Sequence, residues 1–365
     1  MADGFLARLG LRLEPLHRVT KRIPMDLRGV DSDPRAVRYW SGDLQAVIEV
    51  SVRPGRTNRR FPLAPDSLDP HVLAVSRALL LESTDEQAAT ILETLALAGA
   101  LVQPKNAAEA VGLSDEQAPQ LAAFPAWAEV FAWSLRDAAT KYKDFPRRVA
   151  RNRRQHGLPV DNMDPDQIMR LNDSLAVKES HAQQYVRLCA SIDKDGFRPD
   201  ADAKKPEHIQ AEILLDGDRW CWKPGNDGNY RSAVLAALRY ESLPVQVTKI
   251  IDRADVAHWP NVMNGLYSVS AALTCFEAYL AAAPLPCYSG WISEIGHSES
   301  AGQGPTGLSR EHRWWSDSRC FEGRKCSSPA SGRRVFRHPI GERARLLQGK
   351  AGCALRTLER SAEVA

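Results

Sequence analysis

A chain of 365 residues, 44% hydrophobic and 25% charged, has the composition of an ordinary soluble protein and room for two or three domains. No run approaches the roughly 18 apolar residues of a membrane span, and Arg8 and Arg12 interrupt the N-terminal apolar stretch before it reaches signal-peptide length; a cytoplasmic protein without a membrane partner is expected. The net charge of +3 is concentrated after Pro286, which removes it as an argument for nucleic acid binding by the body of the chain.

Seven cysteines, an odd number without regular spacing, fit free thiols in a reducing compartment. Cys320 and Cys326 have no second pair at metal-ligand spacing, so no zinc site is expected.

Residues 1–69 read as an N-terminal extension with short strands, the clearest being the alternating run Leu44–Val52. Residues 70–175 read as a helical region. Val72, Leu73, Val75, Leu79 and Leu80 recur at helical spacing from Pro70. Ser83 or Thr84 caps a second helix with Gln87 answering, and Ser114-Asp115-Glu116-Gln117 opens another. Arg147, Arg148, Arg151, Arg153 and Arg154 form the strongest basic cluster of the body. They suit either a phosphate, which guanidinium grips as a fork, or a solvated helix face ending at Gly157. Asp164-Pro165-Asp166-Gln167 starts a further helix, with proline where a missing N–H costs nothing.

Residues 176–284 carry the densest pattern. His181, Gln184 and Tyr185 lie three and four apart on a helix that stops at Gly196, so they share a face able to wall a pocket. A strand from Ile209 turns at Asp216-Gly217-Asp218 into a second strand holding Trp220-Cys221-Trp222. The loop from Pro224 to Gly228 then ends where an Ala-rich helix begins, and Leu243-Pro244-Val245-Gln246-Val247 is the next strand. The first-turn N–H groups of that helix, with Gly228, Asn229, Arg231 and Ser232, outline an anion site. Cys221 reads as a small buried strand residue.

The conjunction of Ser191-Ile192 and Gly196-Phe197, the Asp216-Gly217-Asp218 hairpin, Gly228-Asn229-Tyr230-Arg231 opening an Ala-rich helix and the Pro244-Val245 strand resembles the ParB/sulfiredoxin-like nucleotide-binding superfamily over roughly residues 180 to 275. The run Asp255–Ser268 is similar to stretches that follow this domain in a bacterial branch. The resemblance implies a small mixed-sheet domain, and with the helical N-terminal region and disordered C-terminal tail read from the patterning the expected fold is α+β. It also implies phosphates of a nucleoside triphosphate or diphosphate, with Mg²⁺, on Gly228, Asn229, Arg231 and Ser232. Tyr230 stands where relatives place His or Arg, and with His181, Gln184 and Tyr185 it is a candidate for the pocket wall. No cysteine precedes the loop arginine as in sulfiredoxin-like members, and no helix-turn-helix follows as in the chromosome-partition branch. A kinase branch uses a carboxylate base, for which Asp227, Asp216, Asp218 and Glu212 are candidates, Asp227 being in the loop itself.

Residues 285–365 lose periodicity after Pro286 and read as a disordered or shifted-frame tail. Three functional readings stand at this point. The first is nucleotide binding with phosphoryl transfer or hydrolysis. The second is a non-catalytic regulatory or scaffold protein whose loop is a nucleotide switch or a degenerate pocket. The third is a nucleic-acid binder using the basic helix 147–154 and the tail.

Overall fold

The computed structural model describes residues 24–31, 33–41, 45–155, 164–165, 167, 169, 175–199, 208–225 and 228–300. The expectations for the tail beyond residue 300, for Gly157 and for Asp227 therefore lie outside the described residues.

Five strands form one mixed sheet: β1 (Met25–Asp26), β2 (Ala46–Ser51), β3 (Ile209–Asp216), β4 (Arg219–Pro224) and β5 (Ser242–Asp252), in the order β1-β2-β5-β3-β4. β3 and β4 are the antiparallel hairpin the turn residues predict, with Gly217 at φ 59° in the turn. β5 runs parallel to β3 and antiparallel to β2, whose six residues pair with it from Ala46–Val247 to Ser51–Ser242. The alternating run near Leu44 is thus an interior strand of the same sheet as the hairpin. Its burial is nearly continuous rather than alternating, because both faces of the sheet are covered.

On one face lie helices α1 (Pro70–Ala78), α2 (Thr84–Leu101), α4 (Leu175–Asp195) and α5 (Asn229–Ala237), packed onto Ile48, Ile209, Ile213, Trp222 and Val245. On the other, the segment from Ala107 to Ala138 and helix α6 (Val269–Leu280) bury Trp133, Phe276 and Tyr279 against Leu214 and Cys221. The period of two in β3 divides it between these layers: Ile209, Ala211, Ile213 and Leu215 face the first, Leu214 the second. The basic helix is α3 (Ala138–Gln155).

The capping expectation holds at Ser83, whose side chain accepts from Glu86 N, while the Gln87 side chain donates to the Leu81 carbonyl instead of answering the cap; Ser268 likewise caps α6 by accepting from Ala271 N. Ser114 and Gln117 exchange the two hydrogen bonds of a capping box. They brace only a turn, however, and the next helical residues are Pro119–Ala122. Asp164 and Gln167 bond reciprocally in the same way.

One expectation is corrected. Order does not end at Pro286, because helix α7 (Ser289–Ser300) follows it, with Trp291 fully buried and its Nε1 donating to the Leu68 carbonyl at 2.7 Å. Trp291, Tyr288 and Ile295 cluster with Phe61, Ala98 and Leu285. Tyr288, Trp291 and Ile295 stand at i, i+3 and i+7, so these three anchors already carry the helical spacing, and they bury together once a partner surface exists.

Candidate functional site

Gly228 stands at the N-cap of α5 with φ 115°, a left-handed conformation that strains any residue with a Cβ. A Cβ there would also approach Ile209 Cγ2 to 2.8 Å, so two independent constraints select glycine. Ser232 N donates to the Gly228 carbonyl, the first bond of the helical ladder. The preceding first-turn N–H groups have no acceptor within the helix and point outward from its positive end.

The sequence assigns four residues to this end of α5. Asn229 is exposed at its first position and Arg231 half-buried one residue beyond Tyr230. Ser232 is buried, and its hydroxyl donates to the Asn229 carbonyl at 3.0 Å. Its proton is committed to the helix, so Ser232 supports the turn rather than offering a donor from its side chain.

Of the pocket-wall candidates, three come together. The Tyr230 ring lies 4.8 Å from Tyr185 and 5.5 Å edge-on from His181. Gln184 is exposed and does not join them. The buried face of α4 is set by Ala182, Tyr185, Val186, Cys189 and Ile192, and at about 100° per residue Gln184 falls on the far side of His181 from it. Burial lowers the His181 pKa, so its imidazole is neutral near pH 7.

Of the carboxylates, Asp216 and Asp218 sit at the hairpin tip, where Asp216 bonds Arg219 and the almost fully exposed Asp218 bonds Arg35. That is the end of the hairpin opposite Pro224 and the α5 loop. Glu212 faces Lys223 across the hairpin and Lys249 across β5. Its Oε2 is 3.0 Å from Lys223 Nζ and 3.3 Å from Trp133 Nε1. Burial acts to raise the Glu212 pKa, yet Lys223 outweighs it and holds the carboxyl ionised below its ordinary range. Cys221 is fully buried and its thiol is pushed up to about 12 by burial, the signature of an inert strand residue.

The tertiary structure adds a loop that sequence reasoning left within an undifferentiated extension. After β2 the chain runs along the outer edge of β4, with Arg56 N bonding the Trp222 carbonyl at 2.8 Å. This approach is possible because residue 55 is glycine: a Cβ there would meet Trp222 and Leu63 at 2.8 Å. The chain then turns at Thr57-Asn58-Arg59-Arg60, with Arg60 at φ 71° and Thr57 N bonded to the Phe61 carbonyl. The tip of that turn meets α5. Lys223 Nζ donates to Asn58 Oδ1 (3.4 Å), and Asn58 Nδ2 donates to Asn229 Oδ1 (2.9 Å). Tyr279 donates to the Asn58 carbonyl at 2.7 Å and fixes the tip from behind. The recognisable signal was Pro54-Gly55-Arg56-Thr57-Asn58-Arg59-Arg60, a turn sequence rich in cations directly after a strand.

This chain of amides has a direction. The lysine can only donate, so each acceptor oxygen along it is used internally, and what remains at the surface is the amino group of Asn229, a donor. It lies beside the first-turn N–H groups of α5.

The basic helix α3 exposes Arg147, Arg148, Arg151 and Arg154, while Arg153 is buried. Arg148 lies over the Phe145 ring at 4.7 Å. Four members of the cluster are thus exposed and the fifth is packed.

Among the described residues, no group of three His, Cys, Asp or Glu side chains is arranged to hold a metal ion, and no helix is long and apolar enough to cross a membrane. Comparison of the chain with protein-family models, with curated proteins and with solved structures gave no match.

Proposed function

We propose that the N-terminus of α5 binds the phosphate of a nucleoside diphosphate or triphosphate, as in a ParB/sulfiredoxin-like domain. The observation that carries this reading is the Lys223–Asn58–Asn229 chain, which uses up its own acceptors and leaves donors at the positive end of a helix opened by Gly228. Arg231, half-buried in the same turn, would add charge to such a site. Mg²⁺ in such a site is carried by the phosphates and water rather than by a protein cage.

Of the four carboxylates proposed as bases, Asp227 lies outside the described residues and the other three are engaged away from α5. Glu212 is engaged by Lys223 and Trp133, and Asp216 and Asp218 are at the other end of the hairpin, so none of these three serves as a base at α5. A regulatory or scaffold protein that binds nucleotide without chemistry is the second reading, supported by the engagement of these three.

Calorimetric titration of ATP, ADP and CTP, with and without Mg²⁺, tests the reading. Wild type should bind at least one of them below millimolar concentration. Arg231→Ala should weaken that binding about tenfold or more, the effect of one charge-assisted hydrogen bond. Absence of binding by wild type at millimolar nucleotide would refute the assignment.

A further inference from the structure

Helix α3 supplies no residue to the α5 site, and its packing does not explain its charge. From Ala138 to Gln155 it carries seven Lys/Arg against one Asp. Its buried side is Pro146, Val149, Ala150 and Arg153, at i, i+3, i+4 and i+7, and that stripe is what the fold requires of it. The opposite side is free to be any mixture of polar residues. It is Lys143, Asp144, Arg147, Arg148, Arg151 and Arg154, all exposed.

Two ordinary explanations fall short. A solvated helix face mixes signs and is laced by ion pairs at i,i+3 and i,i+4. Asp144 stands at those spacings before Arg147 and Arg148, yet among the described residues no carboxylate lies within ion-pair distance of Arg147, Arg148 or Arg151. Lys141, earlier on the same helix, does pair, with Glu129 at 2.9 Å. The helix dipole favours cations only in the last turn, which suits Arg153 and Arg154 but not Arg147 and Arg148. Arg147 and Arg148 each repel Arg151 along one face, a cost to the helix that no described carboxylate offsets.

A stack of flat groups stands beside these arginines. Pro125 leads into the single turn Ala126–Ala128, which lays Trp127 nearly parallel to Tyr142 (ring centroids 5.1 Å apart, 15°) and to Phe145 (6.4 Å, 23°). Arg148 continues the stack, its guanidinium 4.7 Å from the centre of the Phe145 ring. Trp127, Tyr142 and Phe145 are each half-buried, so the core does not enclose them.

Uncompensated guanidinium groups next to partly open aromatic rings match a single nucleic-acid strand. Its phosphates take guanidinium forks, and its unpaired bases stack on rings without regard to sequence. A duplex keeps its bases paired and would leave the rings unused; an acidic peptide would use the charge alone. We propose that α3 is a binding surface for single-stranded nucleic acid, with Arg147, Arg148 and Arg151 on its phosphates and the Trp127–Tyr142 stack against a base. This surface shares no residue with the α5 site, so each assignment stands or fails alone.

The test is fluorescence anisotropy on the full chain across a salt series, with a labelled oligothymidylate of about 20 nucleotides, longer than one usual site, a labelled duplex of the same length, and polyglutamate as competitor. Wild type should bind the single strand with log affinity falling against log salt at a slope of about −2, the release of about three counterions. Arg147→Gln combined with Arg151→Gln should weaken binding about tenfold or more and bring the slope to about −1. Both arginines are exposed, so the variant should melt like wild type, and its difference from wild type isolates α3 from the other basic segments. Trp127→Leu should weaken binding several-fold with the slope unchanged, because stacking releases no counterion. Unchanged affinity and slope in the double arginine variant overturn α3 as the surface. Equal or tighter binding of the duplex, or displacement of the strand by polyglutamate at equal charge, overturns the assignment to a single strand.

Discussion

His71 of α1 sits between the Arg59 guanidinium and the Tyr185 hydroxyl, and that position fixes its charge. Burial first, then the neighbouring Arg59, lowers its pKa from the ordinary value of 6.5. The folded chain therefore refuses a proton that the unfolded chain accepts once the pH drops past about 6.5. The stability associated with neutral His71 is fully present above that pH and is lost progressively as the pH falls below it. Urea midpoints at about pH 7.5 and about pH 5.5 should show this loss in wild type and a smaller loss in His71→Gln, with His181 supplying part of what remains. An identical pH dependence in the variant would show that His71 does not carry it. At the N-terminus of α5, Gly228→Ala meets both a left-handed backbone and the Ile209 side chain. Thermal melts should show a loss of about 2 kcal/mol, taking about 1–2 kcal/mol for the backbone alone, and nucleotide affinity should fall with it because the first turn of α5 is displaced.

At the scale of elements, the turn after β2 does two jobs that its composition alone does not separate. Its first half covers the edge of β4 through Arg56, which leaves less open ladder for another chain to pair with. Its second half presents Asn58 to Asn229 at the start of α5 and Arg59 to His71 of α1. The strain of Arg60 at φ 71° is held by burial, by a hydrogen bond to the Val111 carbonyl and by the Tyr279 ring below its guanidinium. α7 closes the same neighbourhood from outside, since Trp291 bonds Leu68 and packs with Phe61, which follows that turn. Trp291→Ala should therefore lower stability by about 3–5 kcal/mol in denaturant unfolding, as for other large buried aromatics. A change below about 1 kcal/mol would mean that α7 is not part of the folded body.

Across the whole molecule, one sheet separates two apolar layers, and the site lies where the first layer's helices meet the sheet's β4 edge. The hairpin, Gly228, α5 and β5 are legible in the sequence because each is specified by neighbours: an Asp-Gly turn, a glycine before an Ala-rich helix, a Pro-Val strand. Much of the site is not. Asn58 and Asn229 are 171 residues apart, Lys223 and Asn58 165, and His71 and Tyr185 114. No local period or motif links such pairs, so Asn58, Arg59, His71 and Lys223 escape a reading that looks for spacing. The same limit explains Gln184, which shares the helical spacing of its neighbours but not their buried face.

By itself the sequence determined the strands and helices from Ile209 to Val247, the glycine that admits the left-handed turn, and the helix end at which an anion is expected, since all of these follow from short-range sterics and periodicity. Only the tertiary structure decided that β2 lies inside the same sheet, that a turn far away in the chain meets α5, and which hydrogen-bonding groups are used up there and which are left. The reason is physical: donor and acceptor inventories belong to residues, but their satisfaction belongs to contacts, and those contacts exist only once the chain has closed on itself.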